Sequence, residues 1–177
     1  MSNARAMAGP CPARGHRGKR WCVTSQRPLA AIVLAAGKGT RMKSDLHKVL
    51  HPIAGRPMLM HLLASLDVLG TERTVVVVGS GREQLEKALA GRGADIAVQD
   101  PQLGTGHAVQ QAEAALAGFD GDVLILYGDV PFVSSATMRR LVERLHGADD
   151  PAVVVLGFRP SDPAAYGRVV AGADGRI

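Results

Sequence analysis

AAIVLAAGKGTRM, residues 30–42, sets an apolar run, Ala30 to Leu34, directly before a loop of glycines and cations. The run reads as a buried strand and the loop as its exit. Gly37 and Gly39 allow the backbone to turn with positive φ and to approach a ligand closely. Lys38 and Arg41 add charge, and Lys48 follows seven residues after Arg41. Backbone amides beside several cations suit a polyphosphate. The carboxyl end of a strand is also where open α/β sheets bind ligands. An ordinary glycine turn between a strand and a helix would carry the same glycines.

Outward from this stretch, apolar runs alternate with helical patterns. Strands are predicted at 30–34, 73–78, 95–98, 122–127 and 152–158, and helices at 57–69, 82–90, 106–117 and 135–146. Val75 to Val78 is an unbroken β-branched run, as a central parallel strand requires. Pro57 suits the first turn of its helix, and Ser134 or Ser135 can cap the helix over 135–146. The βαβα order predicts an α/β, Rossmann-like domain with a mainly parallel sheet and helices on both faces.

The chain has 177 residues, enough for one domain with a real core. Apolar residues make up 46% and aromatic residues only 3%, so that core must be aliphatic. No apolar run approaches the roughly 18 residues that span a bilayer. The formal charge of +5 is unevenly placed: residues 1–29 hold six Lys/Arg and no acid, and the rest hold 15 basic against 16 acidic residues, a balance of −1. A nearly neutral domain argues against nucleic acid as its partner. Residues 1–28 are expected to be a disordered basic extension and 29–177 the folded domain. Cys11, His16 and Cys22 fit no zinc-finger spacing, and a fourth ligand is missing. With two cysteines and no secretory apolar segment, a cytoplasmic location is expected.

Two well-known phosphate loops fail on this sequence. A P-loop needs Lys-Ser/Thr after its second glycine, and a dinucleotide loop needs a third glycine where Met42 stands. Other residues carry candidate chemistry. Asp129 follows the apolar run Val123 to Tyr127, where a carboxylate can hold a hard cation or simply form a turn after Gly128. Gln99 follows a short strand, and its amide can both donate and accept, matching a pyrimidine edge. Gly104 and Thr105 open the next helix. His47, His51 and His61 read as surface or packing residues, none as a base.

LAAGKGTRM followed by SDLHKVLHPIAGRPML resembles the start of the sugar-nucleotidyltransferases, enzymes that join a nucleoside triphosphate to a sugar 1-phosphate. QDPQLGTGHAV (Gln99 to Val109), LYGDVPFV (ending at Val133) and YGRVV (Tyr166 to Val170) narrow the resemblance. Together they are similar to the uridylyltransferase domain of the bacterial bifunctional enzymes that make UDP-N-acetylglucosamine. The resemblance runs from about Ala30 to the last residue.

That resemblance implies UTP and N-acetylglucosamine 1-phosphate as substrates and Mg²⁺ as cofactor. It implies catalytic roles for Arg41 and Lys48 and a metal role for Asp129. Nucleotide contacts are implied at Leu34, Ala35, Ala36, Gly37, Lys48, Gln99, Gly104 and Thr105, and a sugar contact at Gly167. His47 stands where such enzymes often carry proline. The resemblance further implies that the domain is incomplete at Ile177, and that full-length relatives trimerise through a carboxyl-terminal domain not contained in this sequence. No nucleic acid or membrane partner is expected.

Overall fold

A computed structural model describes residues 27–177 except Lys38, Thr40, Arg41 and Ser80. The readings placed on Arg41, on Lys38, on the extension up to residue 26 and on Cys11, His16 and Cys22 lie outside the described residues. The predicted run at 30–34 forms β1 (Leu29–Ala35). After it come a short hairpin, β2 (Pro52–Ile53) and β3 (Arg56–Pro57), and then α1 (Met58–Leu69). The chain continues through β4 (Arg73–Val78), α2 (Arg82–Leu89), β5 (Asp95–Val98), α3 (Thr105–Gln110), β6 (Asp122–Tyr127) and α4 (Ser135–Leu145).

The main sheet has the order β5-β4-β1-β6, and every neighbouring pair in it is parallel. Val75, Val76, Val77 and Val78 of β4 are fully buried because both faces of the sheet are covered. On one face Val76 and Val78 join Leu59, Leu62 and Leu66 of α1, Leu85 of α2 and Met138 of α4. On the other, Val75 and Val77 meet Ala108 of α3 and Ala112. Each fully buried aliphatic side chain contributes about 1.5–3 kcal/mol. Gly70 ends α1 with φ 84°, a left-handed cap that a side chain would strain, and its N–H reaches Leu66 O at 2.9 Å. Ser134 caps α4, its hydroxyl accepting from Thr137 N at 3.1 Å.

Two readings of the sequence need correction here, and one feature of the sheet was not anticipated. The predicted strand at 152–158 does not form: Val153, Val155, Leu156 and Phe158 are exposed in irregular chain. A strand takes its hydrogen bonds from a neighbour, and among the described residues no strand pairs with this segment. The predicted helix at 106–117 is α3 followed by 3₁₀ turns, because after Gln110 the bonds tighten to i+3, as in Glu113 N to Gln110 O at 3.1 Å. Periodicity had read the buried face, which is retained through Ala112 and Leu116. Finally, β6 is covered on one face only. Leu124 and Leu126 are buried, while Val123, Ile125 and Tyr127 remain 42–53% exposed.

The strand order places the site. From β1 the chain moves to β4 and β5 on one side, then returns to place β6 on the other. β1 thus stands where the strand order reverses, and the carboxyl ends at such a point are where open α/β sheets bind ligands.

Candidate functional site

At these carboxyl ends lies a cleft of about 350 Å³. Leu34, Ala35, Ala36, Gly37 and Gly39 line it from the end of β1; Gln99, Gln102, Gly104, Thr105 and Ala108 line it from the β5–α3 segment. Lys48, Val49, Tyr127 and Asp129 complete the lining. A smaller cleft of about 200 Å³ lies among Pro28, Leu69, Gly70 and Glu72, near the amino-terminal ends of the strands, and gathers no comparable chemistry.

Gly39 is the loop glycine on which the geometry depends. Its φ is +59°, and a Cβ there would stand 2.8 Å from Lys48 Cβ. The loop closes onto Lys48 only without a side chain at this position. Gly37 does not have positive φ, contrary to the expectation, and a Cβ on it would meet nothing within 4 Å. Its bare backbone lines the open cleft instead.

Lys48 begins a 3₁₀ turn, Lys48–Leu50, whose Val49 and Leu50 are buried. Gln84 of α2 straps the preceding loop: its Oε1 accepts from His47 N and its Nε2 donates to Asp45 O, both at 2.8 Å. Lys48 Nζ donates to Asp129 Oδ2 at 2.5 Å, with the two side chains 37% and 36% exposed. Asp129 follows β6 through Gly128, whose N–H donates to Leu34 O at 2.9 Å. A Cβ on Gly128 would lie 3.2 Å from that oxygen, so the peptide after β6 sits tightly against the end of β1. His47 is buried, and desolvation lowers its pKa from the ordinary 6.5. Among the described residues neither ring nitrogen has a hydrogen-bond partner. His51 and His61 bond to the backbone oxygens of Leu46 and Ile53.

Gln99 is buried, and its N–H bonds Val78 O at 2.8 Å, continuing the edge of the β-ladder. Its Nε2 donates to Gly104 O at 2.8 Å and lies 3.2 Å from His107 Nδ1. Gln111 Nε2 lies 3.1 Å from the other ring nitrogen of His107. A neutral imidazole has one acceptor nitrogen, so only one of these two amides can donate to the ring. The bond to Gly104 O holds the Gln99 nitrogen inward, which leaves Oε1 as the group with capacity for a ligand.

For a divalent cation the described residues offer Asp129 and no group of three or more His, Cys, Asp or Glu. One carboxylate at a strand end beside a cleft suits a hard cation that takes most of its ligands from phosphate oxygens and water, the habit of Mg²⁺. It does not suit a cage built wholly from protein side chains.

The fold thus brings together Leu34, Ala35, Ala36, Gly37, Lys48, Gln99, Gly104, Thr105 and Asp129. Gly167 does not line the cleft; it stands in exposed, irregular chain. Gln102 and Tyr127 do line it and carried no role in the sequence reading. Both lie inside motifs already singled out, and for Tyr127 the signal was available: it ends the strand that delivers Asp129.

Comparison with known proteins gives the family. The chain is 77% identical over 150 residues to the bifunctional protein GlmU of Novosphingobium aromaticivorans, covering 85% of this chain and 33% of that protein. It is 71% identical over 147 residues to the GlmU of Sphingopyxis alaskensis, covering 83% of this chain and 32% of the relative. The chain therefore spans about a third of the length of the curated relatives it matches. Among solved structures, a nucleotidyl transferase from Methanothermobacter thermautotroptrophicus superposes with a TM-score of 0.55 at 29% identity, over 66% of this chain and 57% of that one. Residues 31–173 match the MobA-like NTP transferase domain, well over half of the sequence. With a parallel sheet, a glycine-rich loop after β1 and a Lys–Asp pair at its mouth, the chain belongs to the MobA-like NTP transferase domain family.

Proposed function

We propose that this chain is the uridylyltransferase portion of a GlmU-type enzyme, acting in the cytoplasm on UTP and N-acetylglucosamine 1-phosphate to give UDP-N-acetylglucosamine and pyrophosphate. The observation that carries the reading is the convergence of Gly39, Lys48, Asp129 and Gln99 on one cleft at the switch point of the sheet. Their spacing in sequence, 39 to 129, has no local explanation. The very high identity to GlmU proteins supports the choice of substrates.

In this reaction an oxygen of the sugar phosphate attacks the α-phosphorus of UTP in line, and the bond to pyrophosphate breaks. The attacking phosphate is ionised near neutral pH, so no general base is needed. None of the described histidines is placed as one. The barrier lies in bringing anions together, and fixed positive charge lowers it. Lys48 supplies that charge once it leaves Asp129 for the phosphates, with Arg41 as its companion. Asp129 would then hold Mg²⁺, which when bound neutralises phosphate charge. The main-chain groups of Leu34 to Gly37, with Gly104 and Thr105, hold the nucleoside, and Gln99 Oε1 accepts from the imide N–H of uracil. Gly167 is assigned to the sugar.

The test is chromatography of the reaction with UTP, N-acetylglucosamine 1-phosphate and Mg²⁺, alongside Asp129→Ala and calorimetric UTP binding. Mg²⁺-dependent UTP binding that Asp129→Ala abolishes supports the assignment. Equal calorimetric affinity for UTP, ATP and GTP contradicts it.

A further inference from the structure

Gln102 lies 66 residues from Ala36, yet its Nε2 donates to Ala36 O at 2.5 Å. The amide orientation is fixed by chemistry, since the reversed amide would set oxygen against oxygen. Space for the contact comes from a third segment. Gly79 follows β4, and a Cβ on it would run into the Gln102 amide nitrogen and would lie 2.7 Å from Ala36 O. Gly79 has no positive φ, so its missing side chain answers to this crowding rather than to backbone strain. Three strand ends thus meet at one point: β1 and the β5–α3 segment are bonded through Ala36 and Gln102, and β4 makes room for that bond through Gly79. Gln102 stands between Gln99 and Gly104, which are themselves bonded at 2.8 Å.

Building on the nucleotide reading above, we infer that Gln102 is a positioning residue for nucleoside recognition. It holds the Ala36 peptide at a fixed separation from the loop of Gln99 and Gly104, so the slot for the base keeps its width. Among the described residues, Gln102 shares no hydrogen-bond partner with Lys48 and Asp129, which bond each other. Losing Gln102 should therefore weaken recognition of the nucleoside and leave recognition of the polyphosphate in place. Gly79→Ala, which intrudes on the same contact, should have the same selective effect.

The experiment compares the unmutated chain with Gln102→Ala, Gln102→Glu and Gly79→Ala, probing each with Mg·UTP and with inorganic tripolyphosphate by calorimetry. The carbonyl-carbon resonance of Ala36 and the amide resonance of Gly37 are followed without ligand. The expected result for Gln102→Ala is a rise of about 10-fold in the UTP dissociation constant, within the usual worth of one hydrogen bond. Tripolyphosphate affinity should stay within 2-fold, on the order of calorimetric scatter. The carbonyl-carbon resonance of Ala36 and the amide resonance of Gly37 should both move, since both sense the bond that Ala36 O accepts. Gln102→Glu should behave like Gln102→Ala, since a carboxylate cannot donate to the carbonyl.

Equal losses for UTP and tripolyphosphate would overturn the inference, because a merely structural role lowers both. Unmoved resonances at Ala36 and Gly37 in Gln102→Ala would overturn it without any ligand. If the unmutated chain fails to bind UTP, the uridylyl reading falls, while moved resonances at Ala36 and Gly37 in Gln102→Ala would still support the fastening itself and unmoved ones would refute it.

Discussion

Replacing Lys48 with Met separates a site cation from a structural one. The ion pair with Asp129 is short, 2.5 Å, but both side chains are more than a third exposed. At that exposure solvent screening leaves the pair worth no more than about 1 kcal/mol of stability. For a domain of this size that corresponds to a fall of roughly 2–4 °C in thermal midpoint. The methionine stem keeps the packing of the Lys48 methylenes against Gly39. The ligand effect should be far larger. A charge-assisted hydrogen bond to phosphate is worth about 1.5–3 kcal/mol, so Mg·UTP should bind about 10- to 100-fold more weakly. A third effect has the opposite sign. Lys48 is paired with Asp129, and a divalent cation must displace the ammonium to reach the carboxylate. Lys48→Met should therefore bind Mn²⁺ alone more tightly, by a few-fold to about 10-fold, a heavily screened fraction of the pair's Coulomb energy. Calorimetry with Mg·UTP, paramagnetic resonance of free Mn²⁺ and a melting curve read the three quantities. UTP affinity within a factor of about two of the unmutated value would refute the reasoning. So would a collapse of the midpoint by more than about 10 °C, which would make Lys48 a structural residue.

Gly39→Ala should destabilise the chain by about 1–3 kcal/mol, combining left-handed strain with the close contact at Lys48 Cβ, and should weaken UTP binding; urea titration and calorimetry check it, and an unchanged midpoint would count against the loop geometry. His47 is held neutral by burial, its pKa lowered from 6.5. The unfolded chain takes up that proton as pH falls below the ordinary value, and the folded chain resists until lower pH. Stability is thus complete above about pH 6.5 and declines as pH falls toward the folded value. His47→Gln should flatten that decline, measured as urea midpoints between pH 7.5 and pH 5; an identical slope in both proteins would show that other groups cause it. Leu66→Ala should cost about 2–5 kcal/mol, because Leu66 is only 1% exposed at the centre of the face that α1 lays on the sheet. A loss below about 1 kcal/mol by urea titration would mean that the face is loosely packed.

Where burial is decided by neighbours on both sides, the sequence is readable. Val75 to Val78 reads as a strand covered on two faces, and the β1 run before AAGKG reads as ending at a glycine loop, whether a ligand loop or an ordinary turn. The same rule misleads at 152–158, where Val153 to Phe158 has strand composition but no ladder to join. At β6 the strand forms where composition places it, but on the outer strand of the described sheet its apolar run is covered on one side alone. Glycine content is visible in sequence, but its reason is not. Gly37 and Gly39 look equivalent, yet only Gly39 has positive φ and a neighbour where a Cβ would fall. Gly79 carried no signal at all, since the amide that fills its space belongs to Gln102 in a different loop. Lys48 and Asp129 could each be suspected from their motifs; their pairing across 81 residues is a property of the fold.

The central claim is that a uridine nucleotide occupies the cleft at the carboxyl ends of β1 and β6. Amide chemical-shift mapping of the chain titrated with Mg·UTP tests it most directly. The account predicts saturable shifts at Leu34 to Gly37, Gly39, Lys48, Gln99 to Thr105 and Tyr127 to Asp129, with little change around Leu69 and Glu72 at the opposite end of the sheet. Equivalent shifts at the same positions with Mg·GTP would contradict the uridine assignment. Shifts centred on Pro28, Gly70 and Glu72 would contradict the site itself.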